Sequence, residues 1–342
     1  MNLSYRTRRR LRSLGIATVV VIVTAIVVWM VWVVWAGRFI SYHRDHGAKL
    51  DFGLSAIPEG VKPTPPALRD PIDIVYDEPD IELPTPVVDE TRLHGYYIDF
   101  EKLKTTFPTV RDQIQELTRG TAVLLDLKNI KGLFHYSTTV GTTTAKDVNI
   151  AQIDALLKEM TNRDLHVIAR IPAFRDWEYG LNHVSSGLPK KDGDGSLWMD
   201  DANCYWLDPT DEKALAYLTD ITMELRLMGI DEVVYTDFRF PRTEKIEFDG
   251  DKDQAIADAA ATIAATCASD RFWVSFQSED PAFPLPSGNC RLYLDGIPAS
   301  DLPTVVPQVK TDDPTIHLLF LATVNDTRFD EYCVLRPLDS AH

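Results

Sequence analysis

The pattern of apolar and polar positions changes character twice along the chain. Residues 14–37 carry no charged side chain at all, whereas from residue 91 short apolar runs alternate with stretches of helical period. HGYYIDF (94–100) predicts a strand, and FPTVRDQIQELTRG (107–120) a helix with Val110, Ile114 and Leu117 on one face. TAVLLDLK (121–128) is a strand apolar on both faces, IAQIDALLKEMTNRD (150–164) a helix capped by Asn149, and HVIARIP (166–172) the next strand. In 210–229, Ala214, Leu218, Ile221, Leu225 and Met228 recur at helical spacing until Gly229 stops the helix. IDEVVYTDFRFP (230–241) predicts a fourth strand, 254–269 a helix, and RFWVSFQS (271–278) a fifth strand.

Strands apolar on both faces that alternate with helices imply a parallel sheet covered on both sides. An open doubly wound sheet and a (β/α)8 TIM-type barrel both satisfy this α/β pattern. The 252 residues from 91 to 342 match the roughly 250 typical of the barrel, and no Gly-rich phosphate loop follows the first strand. RLYLDGI (291–297), TIHLLFL (315–321) and YCVLRPL (332–338) read as strands with little helix between them, so the barrel is expected to be irregular in its last third.

The charge-free run changes the picture of where this barrel sits. Its 24 residues span a hydrocarbon core of about 30 Å with some tilt. Arg6, Arg8, Arg9, Arg10 and Arg12 precede it, which places the 1–13 tail in the cytoplasm, and Trp29, Trp32 and Trp35 gather at its far end as an interfacial belt. The expectation is a single-pass cell-membrane protein whose 91–342 domain lies outside the cytoplasm. A cleaved signal peptide is the competing reading, although such apolar cores run only about 7–15 residues. Residues 38–90 read as an extended linker: 58–86 holds eight prolines, and 70–90 holds eight acids and no base. The chain's net charge of −16 argues against nucleic acid as a partner. Cys204, Cys267, Cys290 and Cys333 show no metal-ligand spacing, and their pairing stays open. No metal or other cofactor is expected, and oligomeric state is not legible.

In a parallel barrel the reactive groups sit at the C-terminal ends of the strands. That rule selects Asp99, Asp126, Arg170, Asp237 and Arg239. Side chains alternate along a strand, so Val233, Tyr235, Asp237 and Arg239 share a face; with Val234, Thr236 and Phe238 on the helices, Asp237 and Arg239 point into the mouth. A carboxylate beside a guanidinium suits a nucleophile or base kept ionised by its neighbour, and a structural ion pair closing the barrel interior is the alternative. The connection from Pro172 to Asp208, about 36 residues, is far longer than usual and carries Trp177, Tyr179, Trp198, Tyr205 and Trp206. Flat rings suit the apolar faces of sugars; the plain alternative is that they pin the loop to the barrel. The motifs G-x-S-x-G, H-E-x-x-H and G-x-x-x-x-G-K-[ST] are absent.

At VIARIPAFRDW (167–177), LWMDDANCYWLDPTDEKALAY (197–217) and IDEVVYTDFRFP (230–241) the chain resembles the bacterial putative glycoside hydrolase domain family, exported TIM-barrel proteins distantly similar to α-amylases. LLDLKN (124–129) and HGYYI (94–98) extend the resemblance over about 93–245. It implies a carbohydrate polymer as partner and makes Asp237 the leading catalytic carboxylate. The amylase pattern has an arginine two residues before that aspartate; here Tyr235 stands there and Arg239 follows instead. A partner acid after the fifth strand falls near Glu279 or Asp280, of which Glu279 is taken as the catalytic candidate, with Asp126 as a further one, and Arg170, Arg239, Asp99, Trp177, Trp198, Tyr205 and Trp206 as substrate-binding candidates. Two functions follow: a membrane-anchored glycoside hydrolase acting on polysaccharide or cell-envelope glycan, or a catalytically silent barrel that binds glycan or an envelope protein.

Overall fold

A computed structural model of the protein describes residues 92–338, apart from 142 and 192–194, together with Trp29, Ile40–His43 and Gly47–Leu50. The run 14–37 read as a membrane helix lies outside the described residues except for Trp29; among those described, no helix is long and apolar enough to cross a membrane. The chain divides into two units, 1–82 and 83–342. In the first, within the stretch read as a linker, Ile40–His43 and Gly47–Leu50 pair antiparallel, while the rest of that stretch lies outside the described residues.

The second unit contains a closed barrel of eight parallel strands. They are β1 (His94–Ile98), β2 (Ala122–Asp126), β3 (His166–Pro172), β4 (Glu232–Thr236), β5 (Trp273–Gln277), β6 (Leu292–Asp295), β7 (Leu318–Leu321) and β8 (Cys333–Pro337). Neighbours in sequence are neighbours in space, and β8 closes the ring between β7 and β1. This is the TIM-type architecture, one of the two that the alternation of strands and helices allows and the one that the domain's length favours.

The outer helices are α1 (Phe100–Thr105), α2 (Phe107–Glu116), α3 (Ile150–Asn162), α4 (Trp177–Asn182), α5 (Glu212–Leu227), α6 (Lys252–Cys267), α7 (Leu302–Val305) and α8 (Pro314–His317). Asn149 caps α3 by accepting from the Gln152 N–H, and Asp211 caps α5 in the same way at Ala214. Ala214, Leu218, Ile221 and Leu225 form the buried stripe of α5, and Gly229 follows it at φ +88°, where a side chain would be strained. Only α7, α8 and short 3-10 turns separate the last strands, so the expected irregularity of the final third is present without opening the barrel. α1 was not foreseen: the predicted first strand ran on to Phe100, but Asp99 ends it and caps α1, accepting from the Glu101 N–H at 2.9 Å.

Two apolar clusters separate the faces of the strands. Ala122, Leu124, Ile168, Val234, Tyr293, Leu319 and Leu335 fill the barrel, while Val123, Leu125, Val167, Ala169, Val233, Tyr235, Val274 and Phe276 pack outward with the helices. The strand-four alternation is therefore opposite to expectation. Tyr235 is fully buried against α5, its hydroxyl bonded to the Leu218 carbonyl at 3.1 Å and to Thr222, while Val234 and Thr236 take the inward register. The sequence alone gave no rule for choosing which face of a doubly apolar strand looks inward.

At the N-terminal end of the barrel Glu232 is completely buried. Arg291 pairs with it, Ser275 and Tyr293 donate to it at 2.5 and 2.8 Å, and His166 lies at 3.2 Å. Burial opposes its ionisation, but Arg291 and His166 outweigh that and hold it at about 2. Conserving this many polar contacts around one buried carboxylate fixes the strand register there and leaves no open chemistry.

Candidate active site at the barrel mouth

The top layer of the barrel interior is built from the C-terminal residues of several strands. Asp126 and Arg170 are register partners on β2 and β3. Their side chains form a two-pronged pair, Nε to Oδ1 at 2.6 Å and Nη2 to Oδ2 at 3.0 Å. Arg170 also reaches Gln277 of β5 at 3.4 Å. Burial works against the guanidinium charge, but Asp126, then Asp295 and Tyr97, raise its pKa overall. Burial and Asp295 likewise raise the Tyr97 phenol.

Beside this pair lies a lobe of about 310 Å³, lined by Phe100, Asp126, Lys128, His135 and Arg170 among others. His135 stacks on Phe100 at 3.8 Å between ring centroids, and its Nδ1 is 2.7 Å from the Asp126 carbonyl oxygen. A carbonyl can only accept, so Nδ1 carries the proton. Burial lowers the pKa of His135 and keeps the ring neutral. Lys128, buried to the tip, pairs with Asp176 at 2.5 Å; Asp176 in turn caps α4 and accepts from the Tyr217 hydroxyl at 3.1 Å. That pair ties the segment after β2 to the long connection after β3.

Thr236 and Gln277 are shared with a larger cleft of about 1070 Å³. Asp237, Arg239, Phe240, Glu279, Phe283 and Asp295 line it. By register Asp237 belongs to the outward face, yet it reaches the cleft because β4 has ended at Thr236 and Asp237 takes φ +49°. A left-handed backbone at a non-glycine residue is uncommon, and aspartate is among the few residues that tolerate it. Arg239 lies at 3.8 Å from the Asp237 carboxylate, within ion-pair reach but beyond hydrogen-bond length. Burial is the main influence on Asp237 and raises its pKa; Arg175 and Arg239 pull the other way without prevailing. The arginine was expected to dominate and hold this carboxylate ionised. Instead desolvation dominates, since Asp237 is only 18% exposed and Arg239 makes no close contact with it.

Arg239 instead sits over Trp206, 5.0 Å from the ring centroid, and Arg175 lies over the same ring at 5.8 Å. Trp206 is buried and donates to Asp200, which also takes a 2.6 Å bond from Arg175. The long connection is thus held by its own contacts: α4, isolated bridges such as Gly187 to Leu207 and Met199 to Tyr205, and this Arg–Asp–Trp cluster. Trp177, Trp198, Tyr205 and Trp206 lie outside the lining of both cavities, whose aromatic residues are Phe100, Phe238, Phe240 and Phe283. Glu279 stands at the rim, 72% exposed and paired with Arg242 at 2.7 Å. Asp99 is exposed and engaged as a helix cap.

The structure therefore brings Asp126, Arg170, Asp237, Arg239 and Glu279 to one end of the barrel and leaves Asp99 and the four loop aromatics out of the cavity linings. Sequence reasoning missed Asp295, Gln277, Lys128 and His135. Asp295 ends β6 as Asp126 ends β2, and the same strand-end rule applied to RLYLDGI would have selected it. All four cysteines are free and buried.

A family model described as "Putative glycosyl hydrolase domain" matches residues 97–270. No curated protein sequence matches the chain. Among solved structures, a hypothetical protein from Ruminiclostridium thermocellum ATCC 27405 is 21% identical over 53% of this chain and 96% of its own, with a TM-score of 0.45. The glycoside hydrolase domain of PelA from Pseudomonas aeruginosa is 12% identical over 72% of this chain and 96% of its own, at 0.43. A cycloalternan-degrading enzyme from Trueperella pyogenes is 9% identical over 72% of this chain, which spans 42% of that enzyme, at 0.46. Likenesses this distant say nothing of chemistry.

Proposed function

The chain belongs to the putative glycosyl hydrolase domain family, and from that premise we propose that it hydrolyses glycosidic bonds in a polysaccharide or cell-envelope glycan, with Asp237 at the reacting centre. The observation that carries this reading is Asp237 itself. It is a carboxyl held in a left-handed backbone turn, shielded from water, at the C-terminal mouth of a parallel barrel and on the wall of a cleft of about 1070 Å³. Backbone strain and a raised carboxyl pKa gather at sites where a proton is moved. A carboxyl whose pKa burial raises suits the acid that protonates a leaving sugar oxygen. The cleft stands at the upper end of the roughly 300–1,000 Å³ of ligand pockets, with room for more than one sugar ring.

The reading includes a membrane anchor at 14–37, a cytoplasmic 1–13 tail and an extracytoplasmic 91–342 domain. The arginine-rich flank and the charge-free run support it.

The test is hydrolysis by the purified full chain of reducing-end-labelled oligosaccharides from α- and β-glucans, N-acetylhexosamine polymers and uronic acid polymers, beside the Asp237→Asn variant. Release of shorter labelled products by the wild-type chain alone supports the proposal. Binding without cleavage by both proteins selects the catalytically silent barrel.

A further inference from the structure

Hydrolysis of a glycosidic bond by carboxylates takes two of them, one on each side of the bond. Several acids other than Asp237 stand near the mouth, and most are already committed. Both oxygens of Asp126 are held by Arg170. Glu279 points to solvent in a pair with Arg242. Asp280 accepts from the Ala282 N–H of its own turn, and Asp251 caps α6.

Asp295 differs from all of these. It is the last residue of β6, two positions beyond Tyr293, whose ring fills the barrel interior. The alternation of a strand therefore gives Asp295 the inward register of Asp126 and Arg170. It is exposed, lines the same cleft as Asp237, and among the described residues no hydrogen bond or ion pair engages its carboxylate. Its field is felt by Arg170 and Tyr97 across the mouth. Gln277 of β5, the strand between β4 and β6, lies on the same wall and completes a polar rim around the place where a sugar ring would sit.

Resting on the hydrolase reading above, we propose that Asp295 is the second catalytic carboxylate and acts as the general base for the attacking water. Water's oxygen forms a bond to the anomeric carbon while its proton passes to Asp295. The bond from that carbon to the glycosidic oxygen breaks, its electron pair stays on the oxygen, and the oxygen takes the proton held by Asp237. The products are two shorter sugars with new hydroxyl ends, and one proton returns from Asp295 to Asp237 through solvent. The two environments divide the work: burial raises the pKa of the shielded Asp237, and the solvent-facing Asp295 has water at hand.

Asp295→Asn, Glu279→Gln and Asp237→Asn in the full chain test this on the labelled oligosaccharide that the wild-type chain cleaves fastest. Asp295→Asn is expected to lower kcat by about 10²–10⁴-fold with KM nearly unchanged. Its melting temperature should match the wild type, because no protein partner is lost. Fresh product should carry the inverted anomeric configuration by NMR. Full activity in Asp295→Asn, or the large loss falling on Glu279→Gln instead, would overturn the assignment while leaving the hydrolase reading intact. Retention of configuration would overturn the base role. A wild-type chain that cleaves nothing in the panel overturns the hydrolase reading, and this assignment with it.

Discussion

Replacing Asp237 by asparagine separates catalysis from structure at one atom. The change is close to isosteric, and asparagine accepts the left-handed backbone, φ +49°, as readily as aspartate does. It removes a charge that burial disfavours. A carboxyl whose folded pKa is raised favours folding most at low pH, and that stabilisation is lost as pH rises through the raised value, from the ordinary 3.8 upward. At neutral pH asparagine escapes this penalty, so Asp237→Asn should melt at or above the wild-type temperature, with the difference vanishing in acid. Arg239 is not stranded by the loss: it is 39% exposed, lies 5.0 Å from the Trp206 ring centroid and donates to the Phe240 carbonyl at 3.1 Å.

Catalysis predicts the opposite size of effect. Loss of one acid–base group lowers the rate by about 10²–10⁴-fold. Asp237→Ala gives an internal control. It should be equally inactive, but it adds the cost of a left-handed alanine, about 1–2 kcal/mol. For a domain of this size each kcal/mol lowers the melting temperature by about 2–4 °C, so alanine should melt about 2–8 °C below asparagine. Scanning calorimetry between pH 4 and 8, beside initial rates, reads both effects. A fall for Asp237→Asn equivalent to the roughly 3–5 kcal/mol of a broken buried pair, with activity lost only in step with unfolding, would refute the reasoning and make Asp237 structural.

Three other outcomes are expected. Glu232→Gln leaves Arg291 buried without its partner, so the chain should lose about 3–5 kcal/mol of stability while keeping its activity per folded molecule; an unchanged melting curve would contradict the role given to this cluster. Because Glu232 is held at about 2 against an ordinary 4.5, its stabilisation is complete above 4.5 and disappears as pH falls toward 2, and the variant's acid-unfolding profile should be flatter across that window. The four buried free thiols should resist a thiol reagent in the native protein and all react after denaturation, where a disulfide would leave two silent. A protease added to intact cells should release the 91–342 domain if residues 14–37 anchor it outward, and full protection would reverse the topology.

Much of the barrel was legible because its signals are local. Apolar runs marked the strands, a 3.6-residue period marked α5, and single residues such as Asn149 and Gly229 marked helix ends with one hydrogen bond or one backbone conformation each. What failed was non-local. The aromatic loop was read as both meeting sugar and pinning itself to the barrel, and two of its rings are engaged in pinning: Arg175 and Arg239 lie over Trp206, and Tyr179 stacks on Tyr217 at 4.0 Å. Composition cannot tell a ring that faces a ligand from one that faces a neighbouring arginine, because both need the same residue.

The strand-four reading reached the right end of the barrel with the wrong facing. Alternation was applied to 233–239 as though the strand ran through all seven residues, and Asp237 was placed inward with Val233 and Tyr235. Those two face the helices, so strict alternation would have turned Asp237 away from the mouth. It lines the cleft because the strand stops one residue earlier and a left-handed turn redirects the chain. The same turn carries Asp237 off the barrel axis toward Arg175, Asp200 and Glu279, whereas Asp126, Arg170 and Asp295 keep the inward register. The mouth thus combines two kinds of carboxylate. Those on strand register face the shared interior, where Arg170 satisfies one of them. The one on a strained turn is mostly shielded from water, and its nearest guanidinium, Arg239, stands at 3.8 Å, beyond hydrogen-bond length. Reaction chemistry needs that inequality, since two carboxyls in equal environments would share one protonation state. On the proposed mechanism, the shielding of Asp237 against the exposure of Asp295 is the feature from which the division of roles follows.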